Sequence, residues 1–261
     1  MNESKKTVLI TGASSGIGYE ISKIFAKNGF NIILVSRNKV KLESIGRNIK
    51  NKYNIEVDVI DVDLGNENSA EIVYKRVKEK KRNVNILINN AGVGYAESFC
   101  KTCVEKDFEI IDVNIKSLIN LTKFFSKDMI EHGEGSILNV ASTGAYQPGP
   151  YTASYYASKS YVLSFSEALR VELSEYNINV SVLCPGATKT NFSKNAGKED
   201  VKGAMSPQKV AFSAYNGLKK NKAVIIPGLV NKICIVFSKI LPGLITARIV
   251  KSIQKSVIKK N

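Results

Sequence analysis

The sequence predicts an α/β protein in which a doubly wound, parallel sheet of seven strands forms a single domain. Short apolar runs rich in β-branched residues alternate with amphipathic stretches along most of the chain. Most of these runs are continuously apolar, as in strands that helices cover on both faces of a parallel sheet. The 261 residues, 44% of them hydrophobic, are also enough for one domain with a large core.

The predicted elements alternate in regular order, strand then helix. Strands are predicted at Thr7–Thr11, Asn31–Ser36, Glu56–Ile60, Val84–Asn89, Ser136–Ala141, Asn179–Cys184 and Ala223–Ile226. Apolar residues spaced three and four apart predict helices between them. The helices are expected at 17–29, Lys39–Tyr53, Ser69–Lys81, Val104–Glu131, Ser154–Tyr176 and Ser206–Asn221. Strands joined by helices in this way run parallel to one another.

The turn after the first strand is predicted to bind a phosphate group. It contains Gly12, Ser14, Ser15, Gly16, Ile17 and Gly18, and a helix begins within it. Glycine permits a tight turn and a close approach of the backbone to a pyrophosphate. The first turn of the helix offers unpaired N–H groups and a partial positive charge. The first interval between the glycines is longer than in the common G-x-G-x-x-G pattern, so the prediction depends on the position after a first strand.

The end of the second strand predicts which dinucleotide would bind. NAD-specific sites place a carboxylate about 20 residues after the glycines, where it binds the 2′-hydroxyl of the adenosine ribose. The corresponding residues here are Ser36 and Arg37, and the segment 35–38 contains no acid. An arginine binds a phosphate through paired, charge-assisted hydrogen bonds. These two residues therefore favour NADP, which carries a 2′-phosphate.

Tyr155 and Lys159 are the clearest candidates for chemistry. They lie four residues apart on a predicted helix and share one face, so the ammonium group can lie close to the phenol. A nearby cation favours the phenolate and is expected to lower a phenol pKa that is ordinarily about 10. The tyrosine then becomes usable as an acid or a base near neutral pH. Tyr156 is the competing candidate, but it points about 100° away around the helix.

Seven motifs stand in a fixed order along the chain. They are Thr11-Gly12-x-x-x-Gly16-x-Gly18, Asp63-Leu64, Asn89-Asn90-Ala91-Gly92, Asn114, Ser142, Tyr155-x-x-x-Lys159 and Pro185-Gly186, with Thr188 and Thr190 beyond the last. In this order and spacing, they resemble the short-chain dehydrogenase/reductase family, particularly its bacterial NADP-type members. The resemblance extends from Thr7 to about Pro227. It implies a Rossmann-like fold, an NADP cofactor and hydride transfer between a nicotinamide and a carbonyl or alcohol carbon.

The resemblance also implies roles for individual residues. Tyr155 would exchange a proton with the substrate oxygen, Lys159 would reach the nicotinamide ribose, and Ser142 would donate a hydrogen bond to that oxygen. Asn114, inside a helix, would interrupt its hydrogen bonding and hold a water molecule that links Lys159 to solvent. Asp63 would meet the adenine, and Asn89 would brace the sheet. The other cofactor-binding residues implied are Leu64, Asn90, Ala91, Gly92, Pro185, Gly186, Thr188 and Thr190.

The predicted activity is the NADP(H)-dependent interconversion of a ketone or aldehyde and an alcohol. The segment Ala187–Met205 is expected to form a lid over the substrate. Apolar and aromatic residues in this and other loops suggest a small, partly apolar substrate; they are Phe192, Met205, Tyr95, Phe99 and Tyr146. Two alternatives stay open: a protein that senses NADP(H) without turnover, and one that works at a membrane surface.

The carboxyl-terminal part of the chain is strongly basic. Residues 202–261 contain twelve Lys and Arg and no Asp or Glu, and they supply most of the net charge of +15. We predict a catalytic domain at 1–228 and a basic amphipathic extension at 229–261. Apolar residues recur at helical spacing in this extension, at Ile249, Val250, Ile253, Val257 and Ile258. Packing of this stripe on the domain or on a partner subunit is favoured over contact with an anionic membrane, which stays an alternative.

The remaining expectations concern partners and location. The family resemblance implies a homodimer or a homotetramer. The basic extension has no nucleic-acid recognition motif, so no nucleic-acid partner is expected. The first residues lack an apolar signal segment, which predicts a cytoplasmic protein. Cys100 and Cys103 form a C-x-x-C pair without a second pair or nearby histidines, so no metal site is predicted.

Overall fold

One parallel sheet of seven strands forms the centre of the molecule, in the order β3-β2-β1-β4-β5-β6-β7. The computed structural model describes residues 5–198 and 203–258. The strands are β1 (Thr7–Thr11), β2 (Asn31–Ser36), β3 (Val57–Asp61), β4 (Val84–Asn89), β5 (Gly135–Val140), β6 (Ile178–Leu183) and β7 (Val224–Ile225). All seven predicted strands are confirmed, and no bound differs from its prediction by more than one residue.

Helices cover both faces of this sheet. Over the described residues they are α1 (Gly16–Lys27), α2 (Lys39–Tyr53), α3 (Ser69–Glu79), α4 (Val104–Ile111), α5 (Ser117–His132), α6 (Ala153–Ser174), α7 (Asn191–Asn195), α8 (Pro207–Lys219), α9 (Leu229–Ile240) and α10 (Gly243–Val257). The helix predicted at Val104–Glu131 is not continuous. A π-helical turn at Asp112–Lys116 separates α4 from α5.

The strands are buried because successive residues point to opposite faces, and each face has its own layer of helices. Val8 and Ile10 of β1 pack toward α1, α2 and α8, whereas Leu9 packs toward α3, α5 and α6. The chain reverses its direction of winding between β1 and β4, which are neighbours in the sheet. In an open parallel sheet, this reversal leaves a crevice at the carboxyl ends of the two strands, where ligands bind.

The carboxyl-terminal extension forms α9 and α10, which lie beside this crevice. In α9, Ser238 Oγ donates a hydrogen bond to Gln147 Oε1 at 2.6 Å. In α10, Gln254 Nε2 donates to the Tyr156 hydroxyl at 3.0 Å. The apolar stripe predicted in the extension is only partly covered: Val250 is 4% exposed, but Ile249 and Ile253 are 49% and 53% exposed. Among the described residues, no helix has both the length and the apolar character needed to cross a membrane.

Candidate active site

A cavity of about 480 Å³ opens at the carboxyl ends of the strands. The segments that follow β1 to β6 supply one part of its wall, and α6 supplies Tyr155, Tyr156 and Lys159. Most of the rest of the wall comes from residues between Thr190 and Lys198 and from three residues of α10, Ile253, Gln254 and Val257. Residues far apart in the sequence therefore meet around a single space, as the winding of the sheet predicts.

The glycine-rich turn is held against the end of β4. Thr11 Oγ1 accepts hydrogen bonds from the backbone N–H groups of Asn90 and Ala91, both at 2.9 Å, and Asn90 Nδ2 donates to Thr11 O at 2.9 Å. Gly12 has φ +63°, and a Cβ added there would lie 2.9 Å from Asn90 Nδ2. A Cβ at Gly18 would lie only 2.5 Å from the same atom. Both positions therefore require glycine for this packing.

The beginning of α1 is available to an anion. Its N-cap residue, Ser15, is extended and makes no side-chain hydrogen bond to the first turn of the helix. The side chains of Ser14 and Ser36 are joined instead, with Ser36 Oγ donating to Ser14 Oγ at 2.9 Å. Ser15, Gly16 and Ile17 line the cavity, so the first turn of α1 brings its uncapped N–H groups and their partial positive charge to the cavity wall.

Arg37 lies at the adenosine end predicted for the cavity, between two carboxylates. Its Nη1 atom is 3.5 Å from Asp63 Oδ2 and 3.6 Å from Glu109 Oε1. The Arg37 side chain is 59% exposed, so this pairing is open to solvent and weak. The guanidinium can exchange these partners for a more highly charged anion such as a phosphate.

Tyr155 is half-buried in the cavity wall, where its ring lies against that of Phe192 with centroids 5.3 Å apart. Gly94 backs the same ring closely, because a Cβ there would lie 2.8 Å from Tyr155 Cδ2. Burial raises the pKa of the Tyr155 phenol above its ordinary value, and the neighbouring Ser142 hydroxyl opposes that shift. Desolvation is the largest influence on this pKa and outweighs the Ser142 hydrogen bond, so the net direction is opposite to the lowering expected from Lys159.

Lys159 is buried, with 4% of its surface exposed. Its Nζ atom donates a hydrogen bond to Val140 O at 2.8 Å and lies 5.8 Å from the centre of the Tyr155 ring. Burial lowers the pKa of Lys159 from 10.5 to about 8, since desolvation disfavours the charged form. The amine remains mostly protonated at neutral pH.

Asn114 occupies the π-helical turn between α4 and α5. Its Oδ1 atom accepts from the Val93 N–H at 2.8 Å, and its Nδ2 atom donates to Val93 O at 2.9 Å and to Ser158 Oγ at 3.0 Å. The side chain therefore joins three elements: the helix that carries it, the segment after β4, and α6. Gly92 lies beside both Asn114 and Lys159, since a Cβ there would be 3.2 Å from Asn114 Oδ1 and 3.3 Å from Lys159 Nζ.

Ser142 follows β5 and begins a short 3₁₀ turn at Thr143–Tyr146. Its hydroxyl oxygen accepts a hydrogen bond from the Gly144 N–H at 3.0 Å. That bond uses an acceptor position and leaves the hydroxyl hydrogen to be donated elsewhere. Ser142 and Tyr155 both line the cavity, so their hydroxyl groups face one common space.

The residues after β6 close the other end of the cavity. Thr188 Oγ1 donates to Gly186 O at 2.9 Å, and Thr190 caps α7 by accepting from the Phe192 N–H at 3.3 Å. The residue at position 16 must be small, because a Cβ there would lie 2.9 Å from Thr190 Cγ2. This contact brings the glycine-rich turn and the segment after β6 together across the cavity.

Most of the predicted site residues line the cavity. The two exceptions are Gly18 and Asn114, which lie directly behind residues that line it. The lining members of the predicted set are Gly12, Ser14, Ser15, Gly16, Ile17, Ser36, Arg37, Asp63, Leu64, Asn90, Ala91, Gly92, Ser142, Tyr155, Lys159, Pro185, Gly186, Thr188 and Thr190. Asn89 is buried behind them, where its Nδ2 atom joins Thr122 Oγ1 and Asn139 Oδ1.

The prediction of apolar substrate contacts from loop residues was largely wrong. Of those five residues, only Phe192 lines the main cavity. Tyr95 and Phe99 line a separate, much smaller cavity. Tyr146 packs in the core, where its hydroxyl lies 3.8 Å from Cys184 Sγ, and Met205 packs beside β7 and α8. Composition near a loop does not reveal which way a side chain points, and here most of them point elsewhere.

Gln254 and Lys198 are among the polar residues of the cavity that the sequence analysis did not predict. Gln254 is 6% exposed, and its Oε1 atom has no hydrogen-bond partner among the described residues. Lys198 also lines the cavity, and burial lowers its pKa to about 8. Gln254 belongs to an extension with no recognisable motif, so only the fold brings it to the site.

These residues fit a dinucleotide carrying a 2′-phosphate. Glycines stand at the two positions of the turn where a side chain would collide, the first turn of α1 is uncapped, and Arg37 lies beside Ser36 with only weak partners. Gly12, Ser15 and Gly16 would hold the pyrophosphate, Arg37 and Ser36 the 2′-phosphate, and Lys159 the nicotinamide ribose.

Comparison with known proteins agrees with this geometry. Residues 6–201 match the family model described as short chain dehydrogenase. A Drosophila melanogaster relative, "Dehydrogenase/reductase SDR family protein 7-like", is 33% identical over 92% of this chain and 78% of its own length. A human relative named "Inactive hydroxysteroid dehydrogenase-like protein 1" is 33% identical over 71% of this chain and 56% of its length.

Solved structures include a similar protein with a bound cofactor. The short-chain dehydrogenase from Sphingobium yanoikuyae in complex with NADPH has a TM-score of 0.82 and 29% identity, covering 91% of this chain and 96% of that one. The family model and the Drosophila relative each cover most of the chain. The protein therefore belongs to the short-chain dehydrogenase/reductase family of oxidoreductases.

Proposed function

We propose that this protein is an NADP(H)-dependent oxidoreductase that interconverts a ketone or aldehyde and an alcohol, with Tyr155 as the acid and base. The proposal rests on one observation: the cavity lined by the glycine-rich turn is also lined by Tyr155, Ser142 and Lys159. A proton donor, a hydrogen-bond donor and a cation thus surround the place where a carbonyl oxygen can lie.

In the direction of reduction, the protein's own residues handle the proton. The bound nicotinamide supplies hydride chemistry. Since burial raises the pKa of Tyr155, the phenol is protonated at neutral pH and can donate its proton to the substrate oxygen. Ser142 donates a hydrogen bond to the same oxygen, where negative charge develops. In oxidation, Tyr155 accepts the proton, and the positive charge of Lys159 favours the phenolate that must first form.

Asn114 lies near Lys159, with Gly92 beside both side chains. The amide of Asn114 is fixed by three hydrogen bonds and cannot turn freely, while Gly92 leaves room between it and the ammonium group. We infer that Asn114 keeps this space polar and open to a water molecule, through which Lys159 can exchange a proton with solvent.

For the substrate, the cavity supports an apolar body with one hydrogen-bonding group. Phe192, Ile253 and Val257 provide apolar contact beside Tyr155. Gln254 offers a buried oxygen that no described residue satisfies, and such a group favours a ligand that donates a hydrogen bond. The proposed substrate therefore carries a hydroxyl or N–H group at a distance from its reacting carbonyl.

The proposed assembly is a homo-oligomer that forms through α4 and α6. These helices expose Val104, Phe108 and Ile111, spaced as one helical stripe, together with Tyr161. The stripe lies among both acids and bases, including Glu105, Lys106 and Asp107, so two copies can meet with complementary charge. Light scattering should give at least twice the 28.6 kDa monomer mass, and a monomer at micromolar concentration would contradict this proposal.

NADPH consumption over a panel of ketones and aldehydes tests the activity. Panel members should include apolar carbonyl compounds with and without a distant hydroxyl group. We expect turnover with at least one compound and little with NADH. Tight NADPH binding without turnover of any compound would instead favour the sensing alternative, to which the resemblance to a relative named inactive gives some support.

A further inference from the structure

The helices α9 and α10 expose an unusual amount of apolar surface. They carry ten of the twenty large hydrophobic residues that are exposed in the described part of the chain. On α9 these are Leu229, Val230, Ile233, Val236, Phe237 and Ile240, and on α10 they are Leu244, Ile245, Ile249 and Ile253. Ile253 also lines the active-site cavity, so we call the other nine side chains the tail surface. Scattered exposed hydrophobic residues need no explanation, but a concentration of this kind marks an interaction site.

Each helix presents its exposed residues on one side. At 100° per residue, the six of α9 fall within an arc of about 120°, and the buried Ile235 lies on the opposite side. On α10, Ile245 and Ile249 lie four residues apart, next to the buried stripe of Thr246, Val250 and Gln254, and Ile253 continues their row to the wall of the cavity. Each helix thus binds the domain with one face and leaves an apolar face unpartnered.

The charges around the tail surface argue against a second copy of this chain as its occupant. Lys232, Lys239, Arg248, Lys251 and Lys255 are all exposed, and residues 203–258 contain no Asp or Glu. If two copies met through this surface, the cations beside it would be brought together without an acid to pair with them. The apolar stripe of α4 differs in this respect, because acids and bases alternate beside it.

We propose that the tail surface docks on an anionic lipid bilayer, with α9 and α10 lying in the interface rather than crossing it. A bilayer of this kind is both apolar and negatively charged, so it complements the aliphatic faces and the five cations together. The helices have 12 and 15 residues, which suits an orientation along the membrane plane. This docking rests on exposure and charge, and it does not depend on the proposed enzymatic activity.

Flotation of the full-length protein with lipid vesicles tests the docking. Vesicles of phosphatidylcholine with phosphatidylglycerol should bind it, those of phosphatidylcholine alone should bind it weakly, and added salt should weaken binding. A triple variant, Ile233→Ser, Phe237→Ser and Ile240→Ser, should bind the anionic vesicles at least about tenfold more weakly. Phe212→Ser on α8, also at an exposed position, is the matched control and should bind normally.

Folding of the variants is checked by NADPH binding and by the melting temperature, both of which should match those of the wild type. No binding of the wild type to anionic vesicles would overturn the proposal, as would normal binding of a folded triple variant. A wild-type oligomer that becomes monomeric in the triple variant would identify the tail surface as a subunit interface, and would also overturn it.

Discussion

The two halves of the cavity are built in different ways. The cofactor half is formed by strand ends and by glycines in contact with Asn90, with Thr11 joining the first turn to the end of β4. The substrate half is formed by a segment with a five-residue helix, α7, and by α10 from the end of the chain. Under the proposed function, the chemistry would depend on contacts within the sheet, whereas the choice of substrate would depend on how the extension folds over it.

The largest expected effect comes from a residue at the boundary of the two halves. Tyr155→Phe should lower kcat by about 10²–10⁴-fold, because the proton donor is lost, while NADPH binding stays nearly unchanged. Steady-state kinetics and a fluorescence titration with NADPH measure the two quantities. Tyr156→Phe is the control. The Tyr156 hydroxyl bonds to Gln254 and is not the proposed proton donor, so this variant should keep most of the wild-type kcat. A Tyr155→Phe variant with more than half of the wild-type kcat would rule out the assignment.

A change confined to the cofactor half should affect only the choice of cofactor. Arg37→Ala should weaken NADPH binding about ten- to a hundredfold and leave NADH binding almost unchanged, since the charged partner of the 2′-phosphate is removed. Asp63 and Glu109 would then also repel that phosphate without an intervening cation. Isothermal titration with both cofactors provides the measurement, and Arg47→Ala, at an exposed position of α2, is the control. Equal binding of both cofactors by the wild type would contradict the assignment.

A change confined to the substrate half should alter the choice of substrate and leave cofactor binding unchanged. Gln254→Leu has a similar size but no hydrogen-bonding group. It should lower kcat/KM by about 5–30-fold for substrates with a distant hydroxyl or N–H group, and much less for substrates without one. The affinity for NADPH should not change. A uniform loss for both groups of substrates would show that Gln254 shapes the cavity and does not recognise a particular group.

The smallest expected effect is on the pH dependence of the free energy of unfolding. Because burial lowers the pKa of Lys159 to about 8 from an ordinary 10.5, the unfolded chain binds more protons than the native protein between these values. The free energy of unfolding should therefore rise with pH across this window, as far as Lys159 contributes. Lys159→Met should make the rise smaller than in the wild type. Chemical denaturation at pH 7.5, 9 and 10.5 measures it, and an identical slope in both proteins would contradict the low pKa.

Sequence reasoning was accurate where a local pattern carries the information. The seven strands were found because they are short, mainly apolar runs between helices. Most cavity-lining residues near the glycine-rich turn were found because their motifs form turns next to those runs, and their binding of a cofactor stays a prediction. The reasoning failed where tertiary contacts decide. The pattern of apolar residues around Asp112–Lys116 reads as one helix, and only the family resemblance at Asn114 predicted an interruption there; Gln254 has no motif around it. The stripe in α10 looked like a single surface, but the fold buries Val250 and exposes Ile249.

The hydrogen bond between Gln254 and Tyr156 joins α10 directly to the helix that carries Tyr155. Any ligand that contacts Gln254 inside the cavity also touches a helix whose outer face is the tail surface. Binding at these two faces is therefore subject to thermodynamic linkage: the factor by which one ligand changes the affinity for the other is the same in both directions. If bound lipid raises the affinity for substrate, bound substrate must raise the affinity for lipid by the same factor. The protein would then remain longest at a membrane surface where its substrate is plentiful.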